Sequence, residues 1–597
     1  MSDYTAPVKD ILFTLQEIAG FSSIAELPGY QDADLDTVTA VLEEAAKFSG
    51  EILAPINYSG DQQGSRAENG KVRTPDGFPE AYRQFAEAGW NSVAFDPEFG
   101  GQGMPWALTT ALQEMWNAAN MSFALCPLLT QGAIEALQIH GSESQKATFL
   151  AKMIAGKWTG TMNLTEPQAG SDLGAIKTRA EPDGDRYRIK GQKIFITYGE
   201  HDLAENIIHL VLARLPDAPK GSKGISLFIV PKYLINPDGS LGAHNDLKCV
   251  SIEHKLGIHA SPTCVMSYGD NGGAWGYLVG KPHAGLEYMF TMMNNARLAV
   301  GVQGLAIGDR AYQHAVAYAR TRIQSAVAGA PAGANLPILH HPDVRRNLMT
   351  MRALTEAMRA MAYYTAGALD RAKRDPDPAE RKRQQALADL LIPVTKAWCT
   401  DQGERVASIG VQIHGGMGFI EETGAAQYYR DARIASIYEG TNGIQAIDLL
   451  GRKLLRDGGQ AMRALLDSMA NDLEAITQFT ADDLRAIKAR LAPDLQLLTT
   501  AVDHMLIEGQ RDMRAALAVA TPFLTLAGTT LGGWLLARGA VAAARQLADG
   551  AADQAFCLAK IATARFYADN ILPTVTGLAA QVTSGAPSTL ALAVEDF

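Results

Sequence analysis

Hydrophobic periodicity changes twice along this chain, and the pattern limits the folds that it can adopt. Apolar residues recur at helical spacing from Asp36 to about Gly156 and alternate with polar residues from Thr161. Helical spacing returns near Ala284, and a second helical block rich in alanine follows Gly458. The pattern predicts a hairpin-rich β unit between two helical regions.

We therefore expect an α+β multidomain chain. At 597 residues it is too long for one hydrophobic core, so several packed units are required. The predicted parts are a leader helix (1–35), an N-terminal helical domain (36–160), a central antiparallel β-barrel-like domain (161–282), a helical-bundle domain (283–457) and an additional C-terminal helical domain (458–597).

Charge and cysteine usage argue against several classes of protein. The net charge of −11 disfavours a nucleic-acid-binding surface, which needs a basic face. Five scattered cysteines without CxxC spacing predict reduced, mostly buried thiols and no metal site. Residues 1–4 contain neither a basic start nor an apolar run, so we expect no signal peptide and a cytoplasmic location.

Residues 515–537 carry no charge and form a stretch long enough to cross a bilayer. The stretch also contains Pro522 and three glycines, and the helices around it are rich in alanine. These features favour a helix buried within a bundle. Membrane contact stays open as the less favoured alternative.

One carboxylate, Glu439, stands in an apolar and glycine-flanked stretch that follows a dense group of charges. Burial raises the pKa of a glutamate from about 4.3 towards neutrality. A carboxylate of that kind can act as a general base at working pH. The alternative is a glutamate that merely lies beside the positive end of a helix.

Two earlier segments carry groups suited to a flat cofactor. Residues 161–172 combine small and polar residues, which favour backbone N–H groups and hydroxyls that point into one concavity. Residues 191–199 form an alternating strand, so Phe195 and Thr197 are expected on the same side. Taken singly, the first segment is equally consistent with a turn and the second with a core strand.

Together with Glu439, these segments resemble the flavin-dependent acyl-CoA dehydrogenase family in their order and spacing. The resemblance covers roughly residues 82–455, and residues 294–298, 318–324 and 412–419 match further family motifs. It implies the same helical, β and helical order of domains. It also implies FAD as cofactor, an acyl-CoA substrate and electron-transfer flavoprotein as electron acceptor.

The resemblance implies a role for each matching residue. Glu439 is the implied catalytic base, and its backbone N–H would hold the thioester oxygen. The residues implied to bind FAD are Leu164, Thr165, Ser171, Phe195, Thr197, Arg322, Gln324, Gln412, Gly416 and Thr441. The residues implied to bind substrate are Ser171, Asn294, Arg297 and Gly440. The FAD positions from Arg322 to Gly416 match ones that grip the cofactor across a subunit interface, which implies at least a homodimer.

The implied reaction is α,β-dehydrogenation of an acyl-CoA to the trans-2-enoyl-CoA, with a medium- to long-chain fatty acyl group in fatty acid β-oxidation. The position at which some members carry the base holds Ala296 here, so Glu439 has no rival. The leader and C-terminal block resemble a long bacterial branch of the family, which makes 3-(methylthio)propanoyl-CoA the alternative substrate. An acyl-CoA oxidase and a non-catalytic flavin-binding stress-response homologue also stay open.

Overall fold

The computed structural model describes residues 4–331, 333–479, 481–550 and 553–597, so residues 1–3 of the predicted leader lie outside the described part. Its strands are β1 Arg66–Glu68, β2 Lys71–Arg73, β3 Trp158–Asn163, β4 Arg179–Asp183, β5 Arg186–Thr197, β6 Asn206–Arg214, β7 Ile225–Pro231, β8 Tyr233–Ile235, β9 Leu241–His244, β10 Leu247–Ile252, β11 Thr263–Tyr268 and β12 Ala274–Leu278.

The α-helices before and after the strands account for most of the chain. They are α1 Val8–Thr14, α2 Phe21–Ala25, α3 Leu35–Phe48, α4 Pro55–Gln63, α5 Phe78–Glu87, α6 Trp106–His140, α7 Glu143–Ile154, α8 Gly285–Thr321, α9 Pro342–Arg374, α10 Pro378–His414, α11 Ala425–Ala432, α12 Asn442–Asp448, α13 Gln460–Ala475, α14 Asp482–Arg511, α15 Met513–Ala518, α16 Ala520–Ala548, α17 Gln554–Asn570, α18 Thr574–Ser584 and α19 Ala586–Thr589.

The chain forms two compact units. The first contains the residues up to Ala46, residues 105–118 and residues 297–597, and the second contains residues 47–104 and 119–296. The long helices α6 and α8 each contribute to both units. Within α6 the division falls next to Asn120, whose backbone angles of −159° and 91° are not helical.

The second unit is built on a twisted sheet in the order β10-β11-β5-β12-β7-β6-β3. Strand β4 pairs with both β5 and β6, which closes β5, β12, β7, β6 and β4 into a ring. The pairs are antiparallel, except that β3 and β4 run parallel to β6. The predicted β-barrel-like domain is therefore confirmed, with two parallel pairings that the sequence pattern does not indicate. Side chains such as Ile189, Val211 and Phe228 fill its core.

In the first unit a buried ion network joins the leader, the helical bundle and the C-terminal block. Arg359 of α9 pairs with Asp10 of α1 and with Glu114 of α6, each at 2.5 Å. Lys560 of α17 pairs with the same Asp10 and with Glu356, each at 2.7 Å. Because all five side chains carry charge and are mostly buried, each needs its partners to offset the loss of water.

The uncharged stretch 515–537 falls on α15 and α16, and the helices are interrupted at Val519. Gly528 of α16 packs so closely that an added Cβ would lie 2.4 Å from the Trp398 ring. The Trp398 indole N–H and the Tyr567 hydroxyl both donate to Thr529, at 3.2 and 2.9 Å. The predicted packing of this helix inside a bundle is confirmed. Among the residues that the structure describes, no helix is long and apolar enough to cross a membrane.

Candidate active site

Glu439 lies in a short loop between the 3-10 turn Arg433–Ser436 and helix α12. Its φ of 57° places it in the left-handed region, and Gly440 follows with φ of 86°. A non-glycine residue in this region costs about 1–3 kcal/mol and persists where neighbouring contacts hold it. The Gln445 side-chain amide donates to the carbonyl oxygens of Glu439 (3.3 Å) and Gly440 (3.1 Å). A Cβ on Gly440 would lie 2.8 Å from that amide nitrogen, so the loop requires glycine there.

The surroundings of Glu439 favour its protonated form. Burial raises the pKa of Glu439, and the positive charges of Arg297 and Lys396 offset only part of the rise. The residue keeps part of its surface exposed, so a substrate can reach it. Within the described part of the chain, no group accepts a hydrogen bond from the Glu439 N–H. The loop thus offers a carboxyl of raised proton affinity and a backbone donor side by side.

Arg297 extends from α8 beside this loop and is only 4% exposed. Its guanidinium pairs with Asp448 of α12 at 3.5 Å. A Cβ on Gly440 would lie 3.9 Å from the same guanidinium, which places Arg297 against the loop itself. The predicted contact between Arg297 and CoA stays a prediction. Asn294, which precedes it on α8, is half-buried and belongs to the second unit.

Sequence reasoning missed three side chains that hold the Glu439 loop: Gln445, Asn442 and Lys396. Thr441, which the sequence predicts as an FAD residue, caps helix α12 by accepting a hydrogen bond from the Ile444 N–H at 3.4 Å. Of these three residues, Lys396 is the one that the sequence pattern could have identified. It is a lysine inside an apolar helical stretch, at a position where helical spacing predicts burial.

In the second unit, the structure brings together three of the residues predicted to bind FAD, namely Thr165, Phe195 and Thr197. The Ile194 N–H donates to the Thr165 carbonyl at 2.9 Å, which joins the loop after β3 to strand β5. The Thr161 hydroxyl donates to the Thr197 carbonyl at 2.7 Å. Phe195 has φ of 60° within a bulge of β5 and is 60% exposed. The extra residue lies before Ile196, and Ile196 and Thr197 pair with β11 in regular register, so the expected placement of Phe195 and Thr197 on the same side stays a prediction.

A buried ion pair fixes the loop that contains Ser171. Glu166 accepts hydrogen bonds from the Lys177 N–H (2.6 Å), the Thr178 N–H (3.0 Å) and the Lys193 ammonium (2.9 Å). Burial alone would raise the pKa of Glu166, but Lys193 and these donors lower it to about 2. The carboxylate therefore closes the loop from 166 to 178 and leaves Ser171 exposed at its surface. Neither member of this pair was singled out from the sequence.

In the first unit, the remaining FAD residues cluster at the ends of two helices. Arg322 and Gln324 follow the C-terminus of α8, and Gln412 and Gly416 lie at the C-terminus of α10. All four are exposed, and a Cβ on Gly416 would meet nothing within 4 Å.

A ring contact joins these two helix ends. His414 of α10 stacks on Tyr318 of α8, with ring centroids 4.4 Å apart and planes inclined by 29°. The His414 Nδ1 donates to the Gly410 carbonyl at 2.7 Å, so this histidine has a packing role. Both segments predicted to grip FAD therefore lie at the same end of the helical bundle.

These two sets of residues fit FAD. The second unit offers an exposed aromatic ring on a strained backbone together with hydroxyls, which suits an isoalloxazine. Strain of this kind is typical of functional sites. The first unit offers an exposed guanidinium and two amides beside an open glycine surface, which suits a pyrophosphate and its ribose.

Four family models match the chain in sequence order. They are the acyl-CoA dehydrogenase N-terminal domain (36–157), the middle domain (161–270), the C-terminal domain (283–455) and the acetyl-CoA dehydrogenase C-terminal-like domain (463–593). The chain is also 51% identical over 570 residues to the 3-methylmercaptopropionyl-CoA dehydrogenase of Ruegeria pomeroyi, covering 95% of this chain and 96% of that protein. The chain belongs to the acyl-CoA dehydrogenase family. It is an FAD-dependent oxidoreductase that acts on the CH–CH bond of an acyl-CoA.

Two further comparisons agree with this assignment. The butyryl-CoA dehydrogenase of Syntrophomonas wolfei is 36% identical over 593 residues and covers 96% of each chain. A Bacillus anthracis acyl-CoA dehydrogenase complexed with FAD matches with a TM-score of 0.73 at 20% identity, over 94% of this chain and 90% of that one. The last comparison shows that the fold extends through the C-terminal helical block.

Proposed function

We propose that Glu439 is the base of this acyl-CoA dehydrogenase and that its acyl substrate is 3-(methylthio)propanoyl-CoA. The left-handed loop that presents a half-buried carboxyl of raised pKa carries the first proposal. The 51% identity to a 3-methylmercaptopropionyl-CoA dehydrogenase along almost the whole chain supports the second.

Glu439 would take the proton from the α-carbon of the thioester. Its ionised carboxylate oxygen forms a new bond to that proton, while the electron pair of the broken C–H bond moves into the forming Cα=Cβ bond. The α-proton is only weakly acidic, so negative charge that develops on the thioester oxygen must be stabilised. The Glu439 N–H is the donor that this chain presents beside the base. Gly440 leaves room for the thioester next to the carboxylate.

FAD, when bound, accepts the hydride that leaves the β-carbon. Phe195, Thr165 and Thr197 would hold its ring system, together with Leu164 and Ser171. Arg322 would bind the pyrophosphate of FAD, because a guanidinium suits phosphate oxygens. Gln324, Gln412 and Gly416 would complete this grip, with Thr441 near the flavin.

Exposed apolar side chains lie beside the four FAD residues at the helix ends, which are Arg322, Gln324, Gln412 and Gly416. Ile323 is 45% exposed, Met417 is 48% exposed and Phe419 is 86% exposed. An apolar surface of this kind on the described chain is typical of an interface. This supports a homodimer in which FAD is shared between two copies.

We also propose that electron-transfer flavoprotein reoxidises the enzyme and that the enzyme works in the cytoplasm. The five cysteines support a reducing location, because all are buried and none is paired within the described residues. A fatty acyl-CoA in β-oxidation is the second candidate substrate, and the 36% identity to a butyryl-CoA dehydrogenase favours a short chain within that class.

The experiment that tests the substrate compares 3-(methylthio)propanoyl-CoA with pentanoyl-CoA, in which a CH₂ replaces the sulfur, and with octanoyl- and dodecanoyl-CoA. Each is mixed anaerobically with the FAD-loaded enzyme, and kcat/KM is then measured with an artificial acceptor. We expect the thioether substrate and its pentanoyl isostere to react faster than the long chains. Faster reaction with octanoyl- or dodecanoyl-CoA would replace this proposal with a fatty acyl-CoA dehydrogenase.

A further inference from the structure

Lys396 is a lysine of α10 whose side chain is completely buried at the back of the Glu439 loop. Its ammonium donates to the Asn442 side-chain oxygen at 2.8 Å. Asn442 opens α12 and follows Glu439 by three positions, so the lysine reaches the end of the loop that presents the base.

Asn442 connects this loop to α10 through its side-chain nitrogen as well. The two N–H groups of this nitrogen have three acceptors within hydrogen-bond distance: the Ala397 carbonyl (3.1 Å), the Thr400 hydroxyl (3.0 Å) and the Asp401 carboxylate (2.6 Å). Both ends of one amide are therefore bonded to a single turn and a half of α10. This arrangement fixes where the strained residue 439 stands relative to that helix.

Lys396 forms no ion pair within the described chain, whereas the buried cations Arg359 and Lys560 of the same unit do. Arg297 also pairs with Asp448 at 3.5 Å. Burial lowers the pKa of Lys396 to about 7, against the opposing negative charges of Glu439 and Asp401. A buried ammonium that lacks a contacting carboxylate acts on nearby charges through its field.

We propose that Lys396 is a positioning residue that holds the Glu439 loop through Asn442 and keeps the Glu439 carboxylate ionised until the substrate's α-proton arrives. This inference rests on the proposed role of Glu439 as base and extends it to the group that controls its charge. When Glu439 takes the proton, the ammonium loses a stabilising negative charge. The same lysine therefore favours release of that proton after turnover.

Other charged groups near the same loop also affect the ionisation of Glu439. Burial raises the pKa of Glu439, and the positive charge of Arg297 opposes this rise more strongly than that of Lys396. Burial also raises the pKa of Asp401. The titratable groups that act on these residues from the packed elements are Arg297 (α8), Asp401 and Glu404 (α10), Arg433 (the turn before the loop), Tyr438, Asp448 (α12) and Arg452.

The test uses the FAD-loaded enzyme with Lys396→Met, which removes the charge, and Lys396→Gln, which removes the charge but keeps an amide donor towards Asn442. Lys453→Met is the matched control, because this lysine is partly exposed and pairs with Asp389 at 3.5 Å. Two quantities are followed against pH. One is the rate of anaerobic flavin reduction by substrate. The other is the infrared band of the protonated Glu439 carboxyl without substrate, identified by subtraction of Glu439→Gln.

We expect the acid limb of the rate profile and the carboxyl titration to move to higher pH by about one unit in both Lys396 variants, as for loss of a nearby opposite charge. Neither should move in Lys453→Met. A uniform loss of rate at every pH with an unshifted carboxyl band would overturn the inference and leave only a packing role. If Glu439→Gln reduces flavin as fast as wild type, the base assignment fails instead. The infrared titration still reports separately whether Lys396 controls that carboxyl.

Discussion

Replacing Glu166 by glutamine isolates the interaction that closes the loop around Ser171. Glu166 and Lys193 are 4% and 0% exposed, and the carboxylate also receives the N–H groups of Lys177 and Thr178. Removing one partner of a buried ion pair costs about 3–5 kcal/mol. A glutamine keeps one acceptor oxygen but turns an NH₂ group towards two donors, and it leaves the lysine without its counter-charge.

The size of the local opening that we expect around the loop follows from the lower end of this range of about 3–5 kcal/mol. About 3 kcal/mol corresponds to roughly 150-fold faster amide exchange, because each factor of ten equals about 1.4 kcal/mol. Hydrogen–deuterium exchange of peptides that contain residues 177 and 178 measures this directly. FAD affinity should fall in parallel, since this loop carries Ser171 and Thr165 directly precedes it.

Glu181→Gln provides the matched control in the same sheet. Glu181 pairs with Lys190 at 3.1 Å, but both side chains are nearly half exposed. Loss of an exposed pair should change exchange by less than about fivefold. The double variant Glu166→Gln with Lys193→Met should open less than Glu166→Gln alone, because no unpaired charge stays buried. Equal exchange in Glu166→Gln and Glu181→Gln would refute this reasoning.

Three further outcomes follow from the site and the bundle. Because burial raises the folded-state pKa of Glu439, the folded enzyme holds that proton more tightly than the unfolded chain, and stability falls as pH rises above about 4.5. Glu439→Gln should therefore melt at an equal or higher temperature than wild type at pH 7.5, an advantage that disappears towards pH 4.5; a lower melting temperature at pH 7.5 would contradict it. Phe195→Gly should leave apo-enzyme stability unchanged or higher, because the left-handed strain is relieved, while titration shows FAD affinity about 2–10-fold weaker; a less stable apo-enzyme with unchanged affinity would show a structural role only. Gly528→Ala should destabilise the fold by about 1–3 kcal/mol and lower the melting temperature, because the added Cβ overpacks against Trp398. A higher melting temperature would mean that helix propensity outweighs this contact.

Much of the architecture follows from periodicity. Alternation predicts strands at 186–190, 207–214 and 263–268, and the structure has β5, β6 and β11 there. The uncharged stretch 515–537 was expected to pack inside a bundle, and α16 does so. In these cases local sequence pattern and long-range packing favour the same state.

Other features depend on contacts that no local pattern contains. The bulge at Phe195 lies within the pairing of β5 with β11, where two residues of β5 stand opposite one residue of β11. The pairing of Glu166 with Lys193 and the bond from Lys396 to Asn442 join residues 27 and 46 positions apart. Only the folded chain brings them together. Glu439 could be predicted as a candidate base because its motif is local, whereas Arg297 and Lys396, whose charges act on it, lie on helices α8 and α10.

The central claim is that Glu439 removes the α-proton of the thioester, and isotope effects on anaerobic flavin reduction test it most directly. Wild-type enzyme and Glu439→Gln are each mixed with substrate deuterated at the α-carbon or at the β-carbon, and the single-turnover rate is recorded. We predict primary isotope effects at both positions in wild type and a fall of at least about 100-fold in the variant. A variant that stays within a few-fold of the wild-type rate, with its α-isotope effect intact, would contradict the account.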